Sequence, residues 1–281
     1  MYCIFTNLIC TQSSAEMRTI MKYYVVDAFT DSVFGGNPAG VCILDQKIPD
    51  ETMLKIASEN NLSETAFLLK ENGRYNLRWF TPEVEFDLCG HATLGTSYVV
   101  FHYLEPELNQ VEYDTSSGIL RVTRDGDLMT MNFPSRPPVK ENLSSLMQQG
   151  FDRTICEVYK SRDLFLVFEN EAAVRDVTPD LNVLGQINQS PEFGIIVTAK
   201  GDTCDFVSRY FSPNSVIGED PVTGSAHCSL IPFWSERLSK TQMRAKQLSK
   251  RGGELLCEDC GDRVKISGKA LCYMVGEIMR Y

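Results

Sequence analysis

Arg78-Trp79-Phe80-Thr81-Pro82 returns 131 residues later as Arg209-Tyr210-Phe211-Ser212-Pro213, and this recurrence governs how the rest of the chain is read. An internal repeat sets the unit of folding, so it outranks any single element. Outward from it, Pro49-Asp50 returns as Pro179-Asp180, 130 residues on, and Gly90-x-Ala92 returns as Gly224-x-Ala226, 134 residues on. Several matches in one order at nearly constant spacing imply two duplicated units of about 110 to 130 residues. Between them, Pro134-Ser135-Arg136-Pro137-Pro138 and the polar stretch to Gly150 have the composition of a linker. The expected organisation is an appendage over 1–20, a first half over 21–134, a linker over 135–150 and a second half over 151–281, whose last strand is free to return to the first.

Each half reads as strands, a helix, more strands and a second helix. Runs rich in β-branched and aromatic residues predict strands at 23–29, 40–44, 65–69, 75–80, 164–168, 193–198 and 204–211. Helices are predicted over Asp50–Asn60 and over 180–187, each behind a Pro-Asp start whose carboxylate can accept from the free N–H groups of the first turn. The segments 90–104 and 224–235 open on a glycine and contain no Asp, Glu, Lys or Arg. A helix without charge on any side must be enclosed by protein. Each half is therefore expected to be a mixed sheet curled around a central helix, α+β in class. Pro232 is expected to kink or shorten the second enclosed helix.

Composition narrows the function. With 281 residues, 43% of them hydrophobic, the chain can bury a core in each half. No run of eighteen apolar residues occurs, and residues 1–10 lack the basic flank of a secretory signal. Neither export nor a membrane partner is expected. Ten cysteines in a chain of this length without such a signal read as reduced thiols, which places the protein in the cytoplasm. A net charge of −10 repels polyanions and argues against nucleic acid as a partner. Residues 1–20 show no clear period and read as an upstream start, a frayed tail or a partner-binding arm.

The candidate chemistry lies at the two glycines. Enclosed helix starts at Gly90 and Gly224 that face one cleft would offer N–H groups and the helix dipole to a carboxylate or enolate; the other reading, a pair of tight strand-to-helix turns, stays open at this point. Around them stand Asp87, Cys89 and His91 in the first half, and Glu219, Asp220, Thr223, Ser225 and His227 in the second. Glu64, in Asn61-Leu62-Ser63-Glu64-Thr65-Ala66-Phe67, opens an apolar strand, where a carboxylate is partly desolvated and suited to acid/base work. Its repeat counterpart is Gly194, so one half alone supplies this group. A surface strand end is the plain alternative.

Five ordered motifs, Asp27-Ala28-Phe29, Gly36-Asn37-Pro38-Ala39, Ser63-Glu64-Thr65-Ala66-Phe67, Cys89-Gly90-His91-Ala92-Thr93 and Glu219-Asp220-Pro221-Val222-Thr223-Gly224-Ser225-Ala226-His227, resemble the PhzF-like phenazine-biosynthesis family. The resemblance runs from about Lys22 to the C-terminus and includes Arg251-Gly252-Gly253-Glu254-Leu255. It implies the diaminopimelate-epimerase-like fold, two pseudo-symmetric halves with the site between them, no metal or organic cofactor, and a homodimer. It also implies an isomerase in which Glu64 shuttles a proton between carbons of a small amino or hydroxy acid. His91, Asp220 and Ser225 would bind and polarise that substrate, with Gly90, Ala92, Thr223 and Gly224 lining its seat.

Cys89-Gly90-His91 also resembles the first motif of proline racemases and diaminopimelate epimerases, which use two opposed thiols. Thr223 stands where the second thiol would be, so the enzyme alternative is an epimerase or dehydratase that depends on Cys89 alone. The alternative without catalysis is a metabolite-sensing or scaffold protein.

Four further signals are set aside. Cys257-Glu258-Asp259-Cys260 has half the spacing of a zinc site and no second pair, so a hairpin turn is expected there. Gly35-Gly36-Asn37-Pro38 lacks a following Gly-Lys-Ser/Thr and reads as a turn near the cleft. His102 reads as a core histidine. His227 reads as either a core residue or a support behind the site, and its grouping with Ser225 and Asp220 lacks the local pattern of a hydrolytic triad.

Overall fold

The computed structural model describes residues 20–190 and 192–279; the appendage predicted over 1–20 lies, apart from Ile20, outside the described residues. Nine strands come first: β1 Ile20–Ala28, β2 Asn37–Leu44, β3 Glu64–Glu71, β4 Arg74–Phe80, β5 Glu85–Phe86, β6 Gln110–Thr115, β7 Gly118–Asp125, β8 Leu128–Pro134 and β9 Val139–Lys140. Nine follow: β10 Glu157–Lys160, β11 Leu164–Val167, β12 Ile195–Lys200, β13 Phe206–Ser212, β14 Gly218–Asp220, β15 Gln242–Gln247, β16 Gly253–Asp259, β17 Arg263–Gly268 and β18 Ala270–Met279. The helices are α1 Asp50–Asn60, α2 Gly90–Val99, α3 Ser145–Gln149, α4 Glu171–Asp176, α5 Leu181–Leu184 and α6 His227–Leu238.

The repeat is visible in the pairing. In the first set β1 is antiparallel to β2, β2 parallel to β3, and β3 antiparallel to β4. β4 then pairs antiparallel with β5 and parallel with β6, and β6, β7 and β8 follow as antiparallel neighbours. From β10 to β17 the second set repeats these relations strand for strand. The sets join through β8 and β17, an antiparallel pair in which Pro134 faces Arg263 and Met129 faces Gly268, an arrangement compatible with a two-fold relating the halves. β18 turns back along β1, from Ala270 opposite Ala28 to Met279 opposite Ile20. β9 makes the equivalent return onto β10 with two residues.

Nine of the ten residues of α2 are buried, and one π-helical turn, Val100–Leu104, prolongs it. Burying so many hydroxyls is tolerable because Thr93, Thr96 and Ser97 each donate to the carbonyl four residues back. The second enclosed helix differs from expectation. A turn over 224–226 precedes it, it starts at His227 rather than Gly224, and it runs six residues past Pro232. Pro232 has no N–H for the Cys228 carbonyl, but the Arg136 N–H donates to that oxygen at 2.8 Å, so the linker supplies the missing bond and the helix continues.

The two Pro-Asp starts diverge. Asp180 caps α5 by accepting from the N–H groups of Asn182 and Val183, though that helix ends at Leu184, short of the predicted 187. At α1 no side chain caps the first turn, and Asp50 instead takes a hydrogen bond from Arg78 at 2.7 Å. The segment 135–150 carries β9 and α3. One apolar core surrounds both α2 and α6, α1 packs outside the first sheet with Phe67 and Phe80, and Leu184 and Val174 pack outside the second.

Candidate active site

The starts of the two enclosed segments meet back to back at the pseudo-two-fold. A Cβ on Gly90 would lie 3.0 Å from the Gly224 Cα, and one on Gly224 would lie 3.1 Å from the Gly90 Cα, so only glycine lets the backbones come this close. Each start is fed by a strand pair locked by a forked ion pair. Arg78 holds both oxygens of Glu85 at 2.7 Å, and Arg209 holds those of Glu219 at 2.7 and 2.9 Å. Glu219, a candidate for chemistry from sequence, is thus consumed in structure. The same frame makes Cys89 the counterpart of Thr223, and His91 that of Ser225.

A cleft of 770 Å³ opens there, walled by Glu64, Cys89, Gly90 and His91 from the first half and by Asp220, Thr223, Gly224 and Ser225 from the second, with Asp87 at its side. Ala92 is fully buried behind this wall. Glu64 is the first residue of β3, with 14% of its side chain exposed, and its Oε2 lies 3.1 Å from the Nε2 of His91. The two atoms are close but not aligned for a hydrogen bond, and neither has another partner. On the far side of the ring, the Cys89 Sγ is 3.6 Å from the His91 Nδ1.

Burial pushes the Cys89 thiol up, and the Glu64 charge adds to it, so Cys89 is a neutral thiol near pH 7. Burial alone would depress His91; Cys89 and then the Glu64 carboxylate, on either side of the ring, outweigh that and raise the imidazole well above its usual range. Burial pushes Asp220 to about 6, with the positive His91 drawing it down, Glu64 raising it, and bonds from Thr223 and Asn37 lowering it. Among the described residues, Glu64, Cys89 and His91 are also the group whose donor atoms could jointly hold a cation, all lying within 4.8 Å of one another.

Several partners were not singled out in the sequence. Asn37, quoted above within a motif and a turn but given no role, donates to Asp220 Oδ1 at 2.8 Å and to the Val222 carbonyl at 2.9 Å. Gln247, on β15, donates to the Asp220 carbonyl at 2.8 Å and accepts from the Thr223 N–H at 2.9 Å, which fixes the turn into Gly224. The Ser225 hydroxyl accepts from Arg162 at 3.1 Å. Arg162 is gripped at 3.1 and 2.9 Å by Asp163, a buried carboxylate that also accepts from the Tyr210 hydroxyl at 3.1 Å.

This cluster explains Gly194, because a Cβ there would collide with the Tyr210 hydroxyl and approach Asp163 to 2.8 Å. Where the first half has a carboxylate, the second has an arginine, aspartate and tyrosine network.

Other histidines and cysteines fall away from the cleft. His227 is fully buried, its Nδ1 2.8 Å from the Thr223 carbonyl, and burial drops it to about 4. It supports the turn and makes no contact with Ser225 that a hydrolytic triad would need. His102 is exposed and stacks on Tyr98 at 3.9 Å, which corrects the core reading, because the π-helical turn swings it to the surface. Cys257 is buried on β16, while Cys260 is exposed in the turn before β17.

The family model for phenazine biosynthesis-like proteins, PhzC-PhzF, matches residues 26–276. The chain belongs to the PhzF family. A protein of Pseudomonas aeruginosa described as an uncharacterized isomerase is 46% identical over 258 residues, covering 92% of this chain and 98% of its own. A PhzF-family crystal structure from Enterococcus faecalis is 45% identical and superposes with a TM-score of 0.89, covering 92% and 99% of the two chains. A hydroxyproline epimerase from Agrobacterium vitis, 13% identical, shares the fold with a TM-score of 0.60 over 92% of each chain. The α+β, diaminopimelate-epimerase-like fold expected of a PhzF protein is the fold observed. Among the described residues no helix is long and apolar enough to cross a membrane.

Proposed function

We propose that this PhzF-family protein is an isomerase that moves a proton between carbons of a small amino or hydroxy acid, with Glu64 taking and returning it. One observation carries the reading: Glu64 Oε2 and His91 Nε2 stand 3.1 Å apart and without other partners, on the wall of a cleft into which the glycine-led starts of both enclosed segments open. The isomerase description of the Pseudomonas relative supports the reaction class.

In this reading the substrate carboxylate lies across the backbone N–H groups of Gly224 and Gly90, beside Ser225. Glu64 accepts the proton from the carbon next to that carboxylate. The electron pair left behind spreads into an enolate, which the imidazolium of His91 stabilises by donation, joined below about pH 6 by the acid form of Asp220. Glu64 then delivers that proton, or a solvent proton that has replaced it on the carboxyl, to a second carbon. One proton leaves and one returns, so the step balances without a co-reactant. The chain is read as two halves, 21–134 and 151–281, each supplying one wall, and the family resemblance adds a cytoplasmic homodimer.

The test is solvent deuterium incorporation, followed by mass spectrometry, into a panel of amino and hydroxy acids. Glu64→Gln should lose exchange by about 10²- to 10⁴-fold, the span of a general acid/base, while keeping the circular dichroism and melting curve of the wild type. Cys89→Ser should stay within a few-fold, since a buried neutral thiol is a weak base and Thr223 cannot oppose it. Loss confined to Cys89→Ser would move the assignment to a thiol-dependent epimerase or dehydratase. Tight binding of an acid by wild type without exchange or turnover would instead favour a metabolite sensor.

A further inference from the structure

Arg136 and Arg162 are the basic residues that line the cleft, and both border α6. Their charges are handled differently. Arg162 is neutralised by Asp163 at 2.9 Å and leans on Ser225. On the opposite wall Glu64 faces His91. Arg136 pairs with no carboxylate among the described residues, although its backbone is firmly placed: its N–H bonds the carbonyl that Pro232 leaves free, and the Ser135 N–H bonds the Asp262 carbonyl at 2.9 Å. Prolines at 134 and 137 stiffen the segment further. Both guanidiniums come near enough to the buried Cys228 thiol to oppose the upward push of burial. A half-buried cation held at a cleft wall without a counter-charge is a vacancy for an anion.

We propose that Arg136 is a specificity-determining residue whose guanidinium receives a second anionic group of the substrate, which is therefore a dicarboxylic acid or its equivalent rather than a monocarboxylate. This rests on the proposed function, which seats the reacting carboxylate at Gly224 and Ser225. There Arg162, which donates to Ser225, and the N–H of Gly224 already serve it, and the Arg136 charge is left over.

Calorimetry tests this without requiring turnover. Glutarate and 3-phosphonopropionate are titrated against butyrate, into wild type, Arg136→Gln, Arg136→Lys and Glu64→Gln. Wild type should bind at least one of the dianions about 10- to 100-fold more tightly than butyrate, the range for a charge-assisted hydrogen bond. The tighter of the two identifies the second group as carboxylate or phosphoryl. Arg136→Gln should erase the preference and leave butyrate unchanged, Arg136→Lys should restore part of it, and Glu64→Gln should retain it. Equal weakening of all three acids by Arg136→Gln, no preference in wild type, or no binding of any acid overturns the proposal. A preference that survives while deuterium exchange fails would overturn the proton-transfer reading and leave this one standing.

Discussion

One methyl group at Gly90 or Gly224 would strike the backbone of the opposite half, where nothing can rotate out of the way. Gly224→Ala is therefore expected to cost about 1–3 kcal/mol, as overpacking does, and to reduce exchange far more than stability, because the two glycine backbones must part to admit it. Urea denaturation beside the deuterium assay separates the two; a variant as stable and active as wild type would mean that the backbones do not touch. Asp220 and His227 set a second expectation.

Asp220 sits at about 6, above its ordinary value of 3.8, so its contribution to stability is present below pH 3.8 and is lost as pH rises through 6. His227 sits at about 4, below 6.5, so its contribution is present above pH 6.5 and is lost as pH falls through 4. The two slopes oppose each other between about pH 4 and 6, and Asp220→Asn should leave the His227 slope exposed. Melting temperatures measured across that range should rise with pH more steeply in the variant; parallel curves would contradict it. At this scale the sequence singled out His91, Thr223 and Ser225, which stand beside glycines that the repeat aligns, and Glu64, which opens an apolar strand and has no acidic counterpart in the second half. Arg162 and Asp163 reach the site from the turn between β10 and β11 and Gln247 from β15, and no local pattern marks that kind of placement; Asn37 lay in a quoted motif, but its reach to Asp220 in the other half could not be read from it.

Among the elements, α6 holds the least expected feature. A proline inside a helix removes one hydrogen bond and usually costs about 3 kcal/mol, yet Pro232 stands in a straightforward continuation because Arg136 caps Cys228 from outside. Pro232→Ala should consequently stabilise by less than about 1 kcal/mol, since the new N–H finds its carbonyl already occupied. A gain near the full value in urea denaturation would show that the Arg136 bond contributes little. The enclosed helices themselves were legible, since 90–104 and 224–235 carry no charge. Their ends were not. The start of α6 is postponed by a turn that Gln247 braces from β15, and α5 stops early although Asp180 caps it as expected. A cap fixes where a helix begins, while its length depends on what it packs against.

Across the whole molecule, the chain makes the same nine-strand circuit twice and then treats the two returns unequally. β9 touches β10 through two residues, and Val139 remains 70% exposed. β18 runs the full length of β1, whose Val26 and Ala28 are completely buried. The repeat in the sequence foretold the duplication, because Pro-Asp, Arg-x-Phe-x-Pro and Gly-x-Ala fall at matching positions in both circuits. It was silent on the inequality, which depends on strand length and on which edge each return covers.

Val139→Ala should change stability by less than about 0.5 kcal/mol, as exposed positions do. Ending the chain at Lys269 should do far more. β1 would keep β2 on one side but present a nine-residue unpaired edge on the other, an open template for association with a second chain. The sheet enclosing α2 would lose the strand that closes it, and with it part of the packing around the helix that carries His91. The truncated protein should be aggregated on size-exclusion chromatography and silent in the exchange assay. A monomer that melts cooperatively and still exchanges deuterium would mean that the first half closes without its return strand, so that β18 covers a sheet that is already complete.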